Sequence, residues 1–180
     1  EGFHYALDKA PTFLKEDFAP SYEKLCSVQR FIDGARELYD VVYSSEAQFD
    51  QRSFERANLF LWLTGDTDGH LGNFLAVDKD GDPSTKEIVV IDNGLALPEK
   101  NSTQLRNNLM FIDNANEALS EEALQTILSW DEKAMVDTLI RLDLEKTIEP
   151  MIDRIEILKS IARDEPTLSI QEIHKRVKYA

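Results

Sequence analysis

The chain has 180 residues, of which 42% are hydrophobic and 30% charged, and its formal net charge is −14. This length can bury the core of one domain, and the acidity argues against nucleic acid and anionic membrane surfaces as partners, since both attract Lys and Arg. No apolar run approaches the roughly 20 residues that span a bilayer, and the single Cys26 excludes an internal disulfide, so we expect a soluble protein of a reducing compartment such as the cytoplasm.

The amino-terminal third is predicted to be a linker followed by helices. Residues 1–20 carry Pro11 and Pro20 among scattered aromatics, which is typical of a linker or an inter-lobe segment. Apolar residues at helical spacing predict one helix or two short ones over residues 21–43. Residues 51–64 are apolar almost all round, and this pattern predicts a buried helix.

A loop, residues 64–75, and a β-hairpin follow this helix. Residues 74–77 and 87–91 are the strand candidates, because both are rich in β-branched and aromatic residues. Between them, Asp78–Pro83 places Asp at alternate positions as an EF-hand does, but its sixth position is Pro instead of Gly. We therefore expect a solvated hairpin loop there rather than a calcium site. The second strand runs directly into a turn, residues 91–98.

The carboxy-terminal part is predicted to be helical from Ser120 onward. The capping boxes Ser129-x-x-Glu132 and Ser169-x-x-Glu172 predict two helix starts. The apolar stripe of these helices consists of Leu139, Leu142, Ile148, Met151, Ile152, Ile155, Leu158 and Ile161.

Three oxygen-bearing side chains are spaced as in a phosphotransferase site. Asp68 precedes Asn73 by five residues, and Asp92 follows a strand candidate. Mg²⁺ takes carboxylate and amide oxygens, and phosphoryl transfer needs a carboxylate near the attacking hydroxyl. We therefore predict Asp68 as the catalytic base, and Asn73 and Asp92 as ligands of Mg²⁺ and, through it, of ATP. His70 is predicted to contact the transferred phosphate or to share the proton transfer.

Each of the two segments also has a plain structural interpretation. The Asp, Asn and Gly residues of 64–75 are those of an ordinary turn, and Asp92–Gly94 is an ordinary turn signal. Their occurrence together, in this order and at a kinase-like separation, favours the catalytic interpretation. His4 and His174 lack acidic or cysteine partners at ligand spacing, and we interpret both as incidental.

Both segments resemble those of atypical kinases of the phosphatidylinositol 3-/4-kinase-like superfamily. Thr67–Phe74 is similar to the T-D-G-H-A-K-N-F catalytic loop of HipA-type bacterial serine/threonine kinases. Ile91–Pro98 resembles the I-D-N-G-L-A-F-P metal-binding turn of type II phosphatidylinositol 4-kinases. The resemblance covers about residues 50–98 and, more loosely, extends back to about residue 27.

The resemblance implies a mainly α fold with a small β-hairpin, the carboxy-terminal lobe of a protein-kinase-like domain, over residues 21–180. Residues 64–75 would be its catalytic loop and residues 91–98 its metal-binding turn. Two features depart from the family. Gly72 stands where HipA-type loops have Lys, and no Gly-rich phosphate loop or strand Lys is recognisable. We therefore expect this chain to require an amino-terminal lobe from a larger parent chain, and to be inactive without it.

The expected activity is ATP- and magnesium-dependent transfer of a phosphoryl group to a hydroxyl. The acidic charge favours Ser or Thr of a protein over a phosphoinositide as the acceptor. Two alternatives stay open. One is a non-catalytic kinase-like module that binds a partner, and the other is an enzyme that transfers a different part of ATP, such as AMP.

Overall fold

Four strands form one mixed sheet in the structure, a computed structural model that describes residues 32–44, 48–99 and 104–178. The strands are β1 (Arg36–Glu37), β2 (Gln48–Phe49), β3 (Phe74–Lys79) and β4 (Asp82–Val90), in the spatial order β1-β3-β4-β2. β3 pairs antiparallel with β1 and β4, whereas β2 runs parallel to β4. The predicted hairpin is confirmed, and it lies at the centre of a wider sheet.

The hairpin loop is shorter than the predicted stretch of residues 78–83. The turn consists of Asp80 and Gly81 alone, and both have positive φ, +51° and +82°. Two positive φ values are the pattern of a type I′ turn, whose twist matches that of the flanking strands. Asp82 and Pro83 already belong to β4. The turn pairs Lys79 with Asp82, and a register shift between Asp78 and Lys79 then places Phe74 opposite Val90 at the other end of the hairpin.

The prediction of one helix or two short ones over residues 21–43 is confirmed only for Leu38–Val42 in its described part. Residues 32–37 are not helical, and Gly34 adopts a φ of +72° within a turn. Arg36 and Glu37 then pair with β3 as a strand, and only α1 (Leu38–Val42) is helical. Residues 21–31 of this prediction, and the linker predicted over 1–20, lie outside the described residues.

The predicted buried helix over residues 51–64 is confirmed as α2 (Gln51–Thr64). It begins at Asp50, whose Oδ2 accepts from the Ser53 backbone N–H at 2.8 Å. Its apolar face packs on the sheet, and Phe54, Trp62 and Phe74 are fully buried there. α2 thus forms the centre of the core and carries loop 64–75 at its carboxyl end.

Three polar side chains on α2, Ser53, Glu55 and Asn58, are buried as well, and the first two each hold a neighbouring element. The Ser53 Oγ accepts from the Ile88 backbone N–H at 3.1 Å and so links α2 to β4. The carboxylate of Glu55, 3% exposed, accepts from the Ser120 backbone N–H at 2.9 Å and from its Oγ at 2.6 Å. Polar contacts therefore fix the position of α2 in a core that its apolar residues alone would leave less specific.

The carboxy-terminal part is helical, as predicted. Its α-helices are α3 (Glu121–Leu128), α4 (Glu132–Arg141), α5 (Ile148–Asp164) and α6 (Ile170–Val177). The capping box at Ser169 is confirmed, but the one at Ser129 is wrong. Ser129 closes the end of α3, since its N–H donates to the Gln125 carbonyl at 3.0 Å, and α4 is capped by Asp131 instead.

The helices of this half pack against α2 and against one another. α5 and α6 contribute Ile155, Leu158, Ile170 and Ile173, which are at most 1% exposed. A smaller apolar cluster of Leu139, Met151 and Ile155 lies between α4 and α5. No helix in the described part of the chain has the length and apolar character needed to cross a bilayer.

Candidate active site

Loop 64–75 begins at a sharp change of chain direction at the end of α2. Gly65 has a φ of +67°, and the Asp66 N–H donates to the Leu61 carbonyl at 3.1 Å. The guanidinium of Arg154, a residue 1% exposed, lies against Gly65 and donates to the Leu63 carbonyl at 3.5 Å. Burial lowers the pKa of Arg154 to about 10, so it remains a cation at neutral pH beside the partially negative carboxyl end of α2.

Asp66 and Asp68 are the two carboxylates of this loop, and they differ in exposure. Asp66 is 3% exposed, and its Oδ1 accepts from the Asp68 backbone N–H at 2.7 Å. Burial raises the pKa of Asp66, and the negative charges of Asp68 and Asp92 raise it further. The Asp68 side chain is 36% exposed. Asp68 is therefore the carboxylate that an acceptor can reach, and Asp66 holds the backbone beneath it.

Asn73 closes the loop by bonding back to its beginning. It ends a short 3-10 helix, Leu71–Asn73, and its Nδ2 donates to the Asp68 carbonyl oxygen at 2.7 Å. Its backbone N–H donates to the His70 carbonyl at 2.9 Å. No described residue donates to the Asn73 Oδ1, so the amide oxygen is the atom left for a metal ion. Five residues separate Asp68 from Asn73, and this spacing lets the Asn73 side chain reach the Asp68 carbonyl, so that the two residues close a hydrogen-bonded ring within the loop.

His70 has its ring oriented by the backbone of the same loop. Its Nδ1 accepts from the Gly72 N–H at 3.0 Å, which assigns the proton of the neutral ring to Nε2. That Nε2 lies 3.7 Å from the Asp68 Oδ2. A Cβ at Gly72 would lie 3.0 Å from the His70 ring, so the glycine gives the ring the space for this orientation.

Turn 91–98 is bonded to loop 64–75 at both of its ends. The Ile91 N–H donates to the Asn73 carbonyl at 2.8 Å, and the Leu97 N–H donates to the Thr64 carbonyl at 2.7 Å. Between them, Asp92 adopts a φ of +51°, a conformation that L-residues rarely take. Its charge acts on Asp66. The structure therefore brings Asp92 to the edge of the loop that holds Asp68 and Asn73.

A third segment, residues 105–108, packs against loop 64–75, and no sequence pattern predicted this contact. Asn107 forms a parallel bridge with Gly69, and the Asn108 N–H donates to the Gly69 carbonyl at 2.8 Å. The buried Asn107 also donates to the Asn58 Oδ1 of α2 at 2.7 Å. Arg106, immediately before these two residues, places its Nη1 3.5 Å from the Asp68 Oδ1.

Together these contacts concentrate acidic oxygens at one edge of the domain. Asp66, Asp68 and Asp92 are close enough for their charges to raise the pKa of the buried member, and such repulsion is relieved by a bound cation. Among the described residues, no three His, Cys, Asp or Glu side chains form a metal-binding group. Mg²⁺ needs fewer protein ligands than that, since it keeps several waters and binds substrate phosphates. Asn73 has an amide oxygen and Asp92 a carboxylate, and both are ligand types that Mg²⁺ takes.

Comparison with models of protein families and with curated proteins finds no match for the chain. The arguments for function therefore come from the geometry of loop 64–75, turn 91–98 and segment 105–108.

Proposed function

We propose that the chain is the phosphoryl-transferring part of an ATP- and magnesium-dependent kinase whose acceptor is the hydroxyl of Ser or Thr in a protein. The observation that carries the proposal is the backbone bond between Ile91 and Asn73. This bond holds turn 91–98 against loop 64–75. Asp92 therefore lies next to the part of the loop in which the Asn73 side chain is hydrogen-bonded to the Asp68 carbonyl.

Asp68 is the base in this proposal. The acceptor hydroxyl oxygen attacks the γ-phosphorus of ATP, and its proton passes to the Asp68 carboxylate. The bond between the γ-phosphorus and the bridging oxygen breaks, and its electron pair leaves with ADP. Asp68 suits this role because it is the exposed carboxylate of the loop, and Asp66 holds its backbone N–H. The His70 Nε2–H, directed toward Asp68, is positioned to donate to a phosphate oxygen or to the acceptor.

Asn73, through Oδ1, and Asp92, through its carboxylate, would hold Mg²⁺. When bound, the ion neutralises charge on the β- and γ-phosphate oxygens. The closed ring from Asp68 to Asn73 orients the amide oxygen before the ion arrives, which reduces the ordering that binding would otherwise require.

The test compares Asp68→Ala with Asp137→Ala in the full-length natural protein that contains this chain. Asp137 lies exposed on α4, away from the loop, so it controls for loss of one carboxylate. Transfer from γ-labelled ATP should fall by about 10²–10⁴-fold in Asp68→Ala and stay unchanged in Asp137→Ala. Wild-type turnover in Asp68→Ala would remove Asp68 as the base.

The acceptor is identified in the same assay by separate arms. Ser/Thr peptide pools should be labelled, while phosphoinositide vesicles should not. Label from α-labelled ATP in the acceptor would indicate AMP transfer. Absence of any ATP-dependent reaction in the wild-type protein would contradict the kinase proposal and favour the non-catalytic module.

A further inference from the structure

We propose that Arg106 binds the terminal phosphoryl group of the nucleotide and is therefore a catalytic residue of this site. The inference rests on the proposed function and deepens it. Its starting point is the 3.5 Å separation between the Arg106 Nη1 and the Asp68 Oδ1. A cation next to the base is next to the place where the attacking hydroxyl and the γ-phosphate must meet.

The backbone of Arg106 is fixed against the loop that carries the base. The next two residues are held by Gly69, one residue after Asp68: Asn107 forms a β-bridge with Gly69, and the Asn108 N–H donates to its carbonyl. A Cβ added to Gly69 would collide with the Arg106 carbonyl oxygen. The buried Asn107 is held in turn by Asn58 of α2. The guanidinium is thus presented by a segment with two anchors rather than by an unsupported loop.

The side chain itself keeps most of its binding capacity. Arg106 carries five N–H donors in a planar fork that matches phosphate oxygens. Its ion pair with Asp68 is long, and its side chain is 53% exposed. A phosphate arriving at Asp68 can therefore be met by donors that the ion pair does not occupy.

Charge balance gives an independent reason for a cation at this position. Asp66 and Asp68 are hydrogen-bonded neighbours in loop 64–75, and Asp92 lies in the turn that is bonded to this loop, so negative charge gathers at the edge where a triphosphate would have to bind. Within loop 64–75 no Lys or Arg occurs, and Gly72 stands at the position where a HipA-type loop carries Lys. His70 Nδ1 is occupied by the Gly72 N–H. Of the described side chains, Arg106 is the permanent cation that contacts Asp68.

In the transfer step the roles divide between the two side chains. The hydroxyl proton moves to Asp68, the new bond forms between the hydroxyl oxygen and the γ-phosphorus, and the electron pair of the broken bond leaves with ADP. Arg106 takes no proton. Its N–H groups donate to oxygens of the moving phosphoryl group, where charge on the transferred group is stabilised.

The experiment measures binding and turnover separately in the full-length natural protein. Arg106→Ala is compared with Arg106→Lys and with Arg52→Ala. Arg52 is an exposed arginine paired with Glu122 near the opposite end of α2, and so it serves as the matched control. Affinities for ADP and for a non-hydrolysable ATP analogue are measured with magnesium, together with kcat and KM for ATP.

We expect Arg106→Ala to lower the affinity for the ATP analogue by about 10–100-fold and to leave the affinity for ADP unchanged, because only the ATP analogue has the phosphate that Arg106 contacts. The kcat of Arg106→Ala should fall as well. Arg106→Lys should keep part of the affinity and turnover that Arg106→Ala loses, and added guanidinium should partly restore the turnover of Arg106→Ala. Arg52→Ala should behave as wild type.

Three results would overturn the inference. Equal loss of ADP and ATP-analogue affinity would indicate a structural role, and wild-type values or faster turnover in Arg106→Ala would mean that the contact only restrains Asp68. If the wild-type protein bound neither nucleotide, the proposed function would fail and the role of Arg106 with it. Only in this last case does the wild-type protein itself lack nucleotide binding, so the two failures are distinguishable.

Discussion

Gly65 has a left-handed backbone conformation and no room for a side chain, and each feature should destabilise a variant with Ala at this position. A second mutation separates the two contributions to the unfolding free energy. The φ of Gly65 is +67°, and a Cβ there would lie 2.5 Å from the Arg154 Cζ. Arg154 is 1% exposed, so its guanidinium has no open space to enter. We expect Gly65→Ala to cost about 2–5 kcal/mol of unfolding free energy, from the backbone conformation and from overpacking.

The control for this prediction is Gly34→Ala. Gly34 has a similar φ of +72°, but nothing lies within 4 Å of an added Cβ, so only the backbone cost of about 1–2 kcal/mol remains. Urea denaturation of both variants measures the difference. Equal losses would show that Arg154 moves aside without cost.

Asp66 makes a prediction about pH. Its pKa is raised above the ordinary 3.8, first by burial and then by Asp68 and Asp92. The unfolding free energy therefore falls as pH rises from about 3.8 through the raised pKa, since the folded state holds the proton more tightly. Asp66→Asn keeps an oxygen to accept from the Asp68 N–H but carries no charge.

We expect Asp66→Asn to melt at a higher temperature than wild type at pH 7, with the gain lost near pH 3.5. The measurement is a series of thermal melts in EDTA, because a bound Mg²⁺ would offset the same repulsion. A variant less stable than wild type at pH 7 would mean that the hydrogen bond requires the carboxylate itself.

At the scale of elements, α6 is coupled to α2 through one buried histidine. The Trp62 Nε1–H donates to the His174 Nδ1 at 3.2 Å, and burial, with the nearby Lys178, lowers the pKa of His174 to about 4. The sequence led us to treat this residue as incidental. It has no catalytic role in the proposal, but it is a structural acceptor in the core.

Because His174 is neutral in the folded state, acid should weaken the contact between α6 and α2. In the unfolded chain His174 is protonated below about pH 6.5, whereas in the folded protein it is protonated only below about pH 4. As the pH is lowered from 6.5 to 4, the unfolding free energy should thus fall by about 3 kcal/mol. His174→Asn, which keeps an acceptor near the Nδ1 position, should be less stable at pH 7 but show a flatter profile in denaturant titrations. An identical slope in both proteins would assign the acid sensitivity elsewhere.

Elements with strong local signals could be predicted, and those decided by distant partners could not. The continuous apolar run of α2 and the β-branched strands of the hairpin were sufficient for their assignment. Gly34 forms a turn inside a stretch predicted to be helical, and Asp131 displaced Ser129 as a cap, because turn chemistry within a few residues outweighed the longer pattern. Boundaries of this kind depend on single residues.

The candidate site divides in the same way. The spacing of Asp68 and Asn73 assigned both residues to one site, and the structure adds a hydrogen bond between them that was not predicted. The contact of Arg106 with Asp68 spans 38 positions, and no periodicity relates the two residues. The buried Asn58 lies within the apolar run of α2, where a polar residue would ordinarily be assigned to an exposed face.

At the scale of the whole molecule, the formal charge of −14 should make stability depend on salt. Net charge of one sign destabilises a compact chain by self-repulsion, and salt screens it over about 10 Å at 0.1 M. We expect the melting temperature to rise between about 0.01 and 0.2 M NaCl. Exposed ion pairs such as Arg176–Glu165 would be weakened by the same salt, but each contributes little. A lower melting temperature in salt would mean that ion pairs dominate over the net repulsion.

The bond between Trp62 and His174 also has a consequence for synthesis, since its partners are 112 positions apart. A ribosome adds about 5–20 residues per second, so Trp62 is made roughly 6–22 s before His174, the residue that accepts its hydrogen bond. Throughout that interval the face of α2 that α6 will cover has no partner in the nascent chain. Loop 64–75 therefore leaves the ribosome on a helix that α6 does not yet support.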